Sequence, residues 1–153
     1  MKTAIIYYSY HHGNTKKVID RMAGILGAKL MTPPEVDATK LAEYDLIGFG
    51  SGIYFSKPHK SLLDLVDSLP SMKNKKAFII STSGRGEKGM EKNHHGLKAK
   101  LEGKGFAIVG EYSCSAFDTF LFFRLMGGLN KGRPNEDDLK KAEEFAKKLS
   151  SGS

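Results

Sequence analysis

Residues 7 to 19 read YYSYHHGNTKKVI. A strand-like apolar run ends in Ser9-Tyr10-His11-His12-Gly13-Asn14-Thr15, and a basic segment with helical patterning follows. Gly13 permits a tight turn. Ser9, Asn14 and Thr15 supply hydroxyl and amide groups. The first N–H groups of a helix starting near Thr15 lack intrahelical acceptors, and the helix dipole adds positive potential there. Such a turn suits a phosphate monoester, with His11, His12 and Lys16 adding donors or charge. The spacing GxxxxGK[ST] is absent, which excludes a Walker-type loop.

Two further loops carry unusual residues. Gly50-Ser51-Gly52-Ile53-Tyr54-Phe55-Ser56 has two glycines that predict close approach of backbone to a ligand. Its Tyr54 and Phe55 offer flat faces to an aromatic ring. Thr82-Ser83-Gly84-Arg85-Gly86-Glu87-Lys88-Gly89 reads GxGxxG after an apolar run, and Glu111 lies about 20 residues on, where a ribose-binding acid would stand. That makes a rival nucleotide fingerprint. Against it, Met90-Glu91-Lys92-Asn93-His94-His95 is mostly polar where a fingerprint helix packs small apolar side chains. A second HHG, His94-His95-Gly96, falls inside this helix. Adjacent helical residues point about 100° apart, so the two histidines cannot form the i, i+4 metal pair. A solvated helix face is expected for them.

Composition narrows the remaining chemistry. The single cysteine, Cys114, excludes an intrachain disulfide and a CxxC metal site, and is expected to be a small buried hydrophobe. No metal site and no catalytic residue are assigned. The formal net charge is +7, which draws anionic ligands or acidic partners. The lysines are spread, with short clusters at Lys73 to Lys76 and Lys140 to Lys148. No nucleic-acid-binding signature accompanies them, so no nucleic-acid partner is expected. No apolar run is long enough to span a bilayer, and polar turn residues follow the first one directly, so a cytoplasmic protein is expected.

The elements that must position these loops alternate. Strands are predicted at Thr3–Tyr8, Lys29–Thr32, Asp45–Gly50, Lys76–Thr82 and Phe106–Cys114. The first, third and fourth are nearly continuous apolar runs, as in parallel strands covered on both faces. A helix over Thr15–Leu26 places Val18, Met22, Ile25 and Leu26 on one face. A second over Lys57–Leu69 places Leu62, Leu65, Val66 and Leu69 inward, with Ser56 as cap and Pro58 in the first turn. Residues 90 to 104 form a third, with Met90, Leu97 and Leu101 inward. Thr32–Tyr44, with two prolines, holds at most a short helix. The last helix follows the cap Asn135 and the acids Glu136, Asp137 and Asp138. Its core face is Leu139, Ala142, Phe145, Ala146 and Leu149. Residues 115 to 129 are strongly apolar for a connection. They either pack under the last helix or expose an apolar patch over 116–129 to a partner or membrane surface. Residues 1–149 make one domain and 150–153 a disordered tail. Short right-handed crossovers turn this βα alternation into a doubly wound parallel sheet, with ligands at the carboxyl ends of its strands.

At Ser9–Thr15 the chain resembles the flavodoxin family, whose phosphate loop is a hydroxyl-rich turn ending in Gly-Asn-Thr. The similarity runs through nearly the whole chain, including Gly132-Arg133-Pro134-Asn135-Glu136 before the last helix. It implies an α/β flavodoxin-like fold: a doubly wound five-stranded parallel sheet, order 2-1-3-4-5, in three α/β/α layers. It implies flavin mononucleotide (FMN), its phosphate held by Ser9, Tyr10, His11, His12, Gly13, Asn14 and Thr15. The ring would be lined by Ser51, Gly52, Ile53, Tyr54 and Phe55, and reached on its pyrimidine side by Ser83, Gly84 and Arg85. The implied function is to carry electrons between redox partner proteins, acidic or membrane-associated. The alternative is a two-electron oxidoreductase acting on a quinone or porphyrinogen, to which Ser51–His59 and the basic charge are similar. A phosphoacceptor receiver on the same fold would need clustered acids where His11 and His12 stand.

Three departures qualify the resemblance. Histidines in the first loop predict tighter phosphate binding at low pH. Lys57, His59, Lys60, Arg85 and Lys88 near the ring loops favour an anionic reduced flavin, hence a less negative potential. The turn Tyr54-Phe55-Ser56 carries side chains for which positive φ is costly, which predicts a weakly stabilised semiquinone.

Overall fold

The structure, a computed structural model, describes residues 1–9, 13–84, 86–115 and 134–152. The described residues form six strands: β1 Thr3–Tyr8, β2 Lys29–Met31, β3 Leu46–Tyr54, β4 Lys57–Pro58, β5 Lys76–Ser83 and β6 Ala107–Ser115. The main path is β2-β1-β3-β5-β6, all parallel, and β4 pairs antiparallel with β3. With the small β4 set aside, this is the expected 2-1-3-4-5 order. The strand order reverses between β1 and β3, which opens a crevice at their carboxyl ends.

Side-chain alternation along the strands feeds two cores. Ala4 and Ile6 of β1, Ile47 and Phe49 of β3, and Ala77 and Ile79 of β5 face one layer of helices. That layer comprises α2 (Ala38–Leu41), α3 (Lys60–Ser68) and α4 (Met90–Gly103), with Leu62, Val66, Leu97 and Leu101 inward. Ile5, Phe78, Ile80 and Tyr112 face the other layer, α1 (Asn14–Leu26) and α5 (Glu136–Ser151), where Val18, Ile19, Met22, Ala142 and Ala146 pack. Arg21 of α1 clips the two helices of this layer by pairing with Glu136 and Glu143.

Several boundaries differ from the expected ones. Ile25 stands 37% exposed, while Ile19 is fully buried. The apolar stripe of α1 therefore runs Val18, Ile19, Met22 rather than out to Ile25. Met90 is only partly buried. Helix α5 continues through Ser150 to Ser151, past the predicted end of the domain at 149. Its start is as expected: Asn135 accepts from the Asp138 N–H while the Asp138 carboxylate accepts from the Asn135 N–H. The segment Thr32–Tyr44 holds a 3₁₀ turn at Pro33–Glu35 and the short α2. Expectations for residues 116–133, including the apolar connection, lie outside the described residues.

The largest correction concerns residues 50 to 59. Strand β3 runs on to Tyr54 and returns through β4, so Lys57 and Pro58 are strand residues, not the first turn of a helix. Helix α3 starts at Lys60, and its cap is His59 rather than Ser56. Pro58 lacks an N–H to donate, but its place on a two-residue edge strand demands little of it.

Candidate functional site

The carboxyl ends of β1, β3, β5 and β6 lie in register. Tyr8 pairs with Ser51, Ser51 with Ser81, and Ser81 with Ser113; one step on, Gly52 pairs with Thr82. Successive residues point to opposite faces. Ser51, Ser81 and Ser113 therefore face α3 and α4, while Gly52 and Thr82 face α1.

On the α1 side the helix begins at a glycine. Gly13 is the N-cap at φ 63°, with no side-chain cap bond, and the first turn of α1 holds no acidic residue. The Lys16 N–H donates to Ser9 Oγ at 3.3 Å. Thr15 is buried, and its Oγ1 lies 2.8 Å from Thr82 Oγ1. A Cβ on Gly52 would lie 3.4 Å from the Tyr54 hydroxyl and 3.6 Å from Thr15 Oγ1. Ser9, Gly13, Asn14, Thr15, Gly52, Tyr54 and Thr82 thus meet at the β1/β3 switch point. Tyr10, His11, His12 and Arg85 lie outside the described residues.

Gly50 plays a different part from the one expected. A Cβ there would fall 2.5 Å from Ile19 Cδ1, so the missing side chain admits α1, not a ligand. Gly48 does the same for the Phe78 ring.

The hairpin β3–β4 forms the second wall. Its two-residue loop is Phe55-Ser56, and both residues have positive φ, 53° and 65°. A two-residue loop between twisted antiparallel strands selects the type I′ turn, which needs positive φ at both centres. Phe55 and Ser56 thus take up the positive φ that is costly for residues with side chains, and the pairing of Tyr54 with Lys57 holds them there. The turn leaves Phe55 87% exposed.

Beneath the hairpin, the His59 ring stacks on Tyr8 at 3.5 Å and 8°, with Tyr54 edge-on to His59 at 5.4 Å. Tyr8, Tyr54, Phe55, His59, Lys57, Lys60, Pro58 and Leu63 line a cleft of about 640 Å³. The His59 N–H donates to Ser51 Oγ, and Ser51 donates to the Gly52 carbonyl. His59 Nδ1 accepts from the Ser61 N–H, capping α3, and burial pushes its pKa below the ordinary histidine value. Tyr8 and Thr82 were not singled out in the sequence as site residues, and His59 was named only for its charge beside the ring loops. Tyr8 was readable from its place at the strand's mouth; the stacking of His59 on Tyr8 was not, because β4 had no signal of its own.

The third wall includes Ser83, Gly84 and Gly86. The Gly86 N–H donates to Ser83 Oγ, closing the turn over Gly84. Gly86 has φ 58°, and a Cβ there would lie 2.6 Å from Ser115 Oγ. The rival fingerprint loses its ribose acid: Glu111 is occupied by His94 at 3.1 Å and Lys98 at 3.3 Å. His94 itself is 1% exposed, not solvated, whereas His95 is exposed as expected.

Comparison with known proteins agrees with this geometry. A family model described as a flavodoxin domain matches residues 5–109. An uncharacterized protein of Methanocaldococcus jannaschii is 49% identical over 150 residues, covering 97% of this chain and 98% of its own. Oxidised flavodoxin 2 from Bacillus cereus superposes with TM-score 0.73 at 19% identity, over the full length of both chains. A flavodoxin from the domain Archaea gives 0.72 at 16%, covering 99% of this chain and 98% of its own. Fusobacterium nucleatum flavodoxin, solved bound to flavin mononucleotide, gives 0.70 at 12%, covering 99% of each chain. By the family model and the shared fold, the chain belongs to the flavodoxin domain family.

Proposed function

We propose that this protein binds FMN at the β1/β3 switch point and carries electrons between redox partner proteins. The observation that carries the reading is the convergence of a glycine-capped, acid-free helix start with Thr15, Gly52, Tyr54 and Thr82 in one crevice. These residues fit the cofactor. The amides at Gly13–Thr15 and the hydroxyls of Ser9 and Thr15 suit a phosphate dianion. Tyr54 and Phe55 offer ring faces, and Ser83–Gly84 a polar edge, with His11, His12 and Arg85 assigned by the resemblance alone. Bound FMN supplies one- and two-electron transfer; the protein binds it, shields it and tunes it.

A second reading, a two-electron oxidoreductase acting on a quinone or porphyrinogen, is favoured by the aromatic cleft over Tyr8 and His59, with Lys57 and Lys60 at its rim. The partner of the carrier would present acidic groups to these lysines. Among the described residues no helix is long and apolar enough to cross a membrane. A single cysteine suits a reducing compartment, which supports the cytoplasm as the site of action.

The test is to load the purified protein with FMN, desalt it, and record absorbance through anaerobic stepwise reduction. Retained flavin that exchanges electrons with acceptor proteins, and turns over no quinone, is the expected result. Loss of all flavin on desalting would overturn cofactor binding; rapid multiple turnover of a soluble quinone would favour the second reading.

A further inference from the structure

We propose that His94 is a positioning residue for Gly86 and the turn it closes onto Ser83: through Ser81 and Ser113 it sets whether a hydroxyl holds the Gly86 carbonyl. The chain of contacts is continuous and buried. Glu111 Oε1 lies 3.1 Å from His94 Nδ1, and His94 Nε2 lies 2.7 Å from Ser81 Oγ. Ser81 Oγ lies 2.9 Å from Ser113 Oγ, and Ser113 Oγ lies 3.3 Å from the Gly86 carbonyl. His94, Ser81 and Ser113 are each 1% exposed.

Counting protons along this chain fixes its direction. A carboxylate only accepts, so His94 Nδ1 carries a hydrogen toward Glu111. In the neutral ring Nε2 is then an acceptor, and the Ser81 hydroxyl must donate to it. The heavy-atom geometry has Ser81 donating to Ser113 and Ser113 to the Gly86 carbonyl; with the Ser81 hydrogen spent on Nε2 the first of these bonds loses its donor, and the Ser113 hydrogen is drawn from Gly86 toward Ser81 Oγ. When His94 gains a second proton, Nε2 donates to Ser81 Oγ. Ser81 then donates to Ser113, and the Ser113 hydrogen is released to Gly86. The ring's charge therefore reverses a row of hydroxyls that ends on the loop.

The loop is placed to feel it. The Gly86 N–H donates to Ser83 Oγ, and its carbonyl stands 3.3 Å from Ser113 Oγ, the bond that the relay makes or releases. Ser115 stands close enough to Gly86 that a Cβ there would meet its Oγ at 2.6 Å. The groups that bear on the ring's charge are Glu111 on β6, which favours the cation, and Lys98 on its own helix, which opposes it. Burial outweighs both and holds the ring toward its neutral form. The bearing of this relay on a flavin rests on the FMN reading above; the relay itself does not.

The experiment is a pH titration by NMR of isotope-labelled protein without added flavin. It follows the His94 ring nitrogens, the Gly86 carbonyl carbon and the Gly86 amide exchange rate. Near neutral pH the ring should be the Nδ1–H tautomer. On acidification the Gly86 signals should move with the midpoint of His94. Ser113→Ala should leave His94 titrating and abolish the Gly86 response. The proposal is overturned by an Nε2–H tautomer, by a ring that stays neutral down to acid unfolding, or by a Gly86 response that is absent or survives in Ser113→Ala. FMN titrations of both proteins then read the consequence. Below the His94 midpoint, wild type should bind about fivefold more tightly than Ser113→Ala, the worth of one hydrogen bond. Equal affinity throughout would overturn the positioning role. A wild type that binds no FMN would defeat the cofactor reading while the NMR titration still decided the relay.

Discussion

At the scale of single residues, the Thr15–Thr82 pair separates holding the fold from holding a ligand. Both hydroxyls are buried, and they lie 2.8 Å apart. Removing one leaves the other buried without its partner, at a cost of about 1–3 kcal/mol. Thr82→Val and Thr15→Val should therefore destabilise the flavin-free protein alike, by urea unfolding. The double variant should recover part of the loss. Their effects on FMN should differ. Thr15 stands at the helix start, where a phosphate would accept its hydrogen, a charge-assisted bond worth about 1.5–3 kcal/mol. Thr15→Val should thus weaken FMN at least tenfold, and Thr82→Val by much less. Equal losses in fluorescence titrations would mean that Thr15 only shapes the crevice. Thr15 was legible in the sequence because Gly-Asn-Thr stood at a strand's mouth. Thr82 was not, because only the pairing of β3 with β5 brings it across from Gly52.

At the scale of elements, helix α3 is started by a side chain that caps only when neutral. His59 Nδ1 accepts from Ser61 N–H at 3.1 Å and lies 2.8 Å from Ser61 Oγ. Protonation would remove that acceptor and set a positive charge at the positive end of the helix dipole. The folded pKa is lowered by burial. The unfolded chain therefore binds the proton first: the stabilisation is complete above the ordinary histidine value and is lost as pH falls through the lower folded one. His59→Asp supplies a cap that stays ionised across that range. The urea midpoint of wild type should fall between pH 7.5 and 5.5 by more than that of His59→Asp. Parallel falls would show that the cap does not titrate. This element also marks where sequence reading ran out. Ser56-Lys57-Pro58 has the look of a cap followed by a first-turn proline, and local preference favours a helix there. The strand wins because Ile53 and Tyr54 are already in the sheet and offer an edge to Lys57 and Pro58. The long apolar strands β1, β3 and β5 carried their own signal, as did the Asn135 cap, so the parallel sheet was readable. His94 was misread for the opposite reason: two adjacent histidines among lysines look solvated until Ser81 and Glu111 are known to face them.

At the scale of the whole molecule, an unmatched lysine stands at the cleft where the flavin would lie. Much of the surface charge is locally matched: Lys16 with Asp20, Lys60 with Asp64, Lys98 with Glu111, and Lys100 with Asp67. Lys57 lines the aromatic cleft and makes no ion pair among the described residues. The net charge of +7 adds a background field to it. A flavin reduced by two electrons to its anion is stabilised by that field, and the stabilisation is screened by salt. The Debye length falls from about 30 Å at 0.01 M to about 3 Å at 1 M, so distant lysines drop out while contacts inside the crevice persist. The two-electron potential of the FMN-loaded protein should therefore become more negative as salt is raised across this range. Lys57→Gln should shift it the same way at low salt and should flatten the salt response. A potential that is indifferent to salt would assign the tuning to hydrogen bonds within the crevice. A rise with salt would mean that negative groups dominate at the ring, and a partner with an acidic face would no longer be the one to expect.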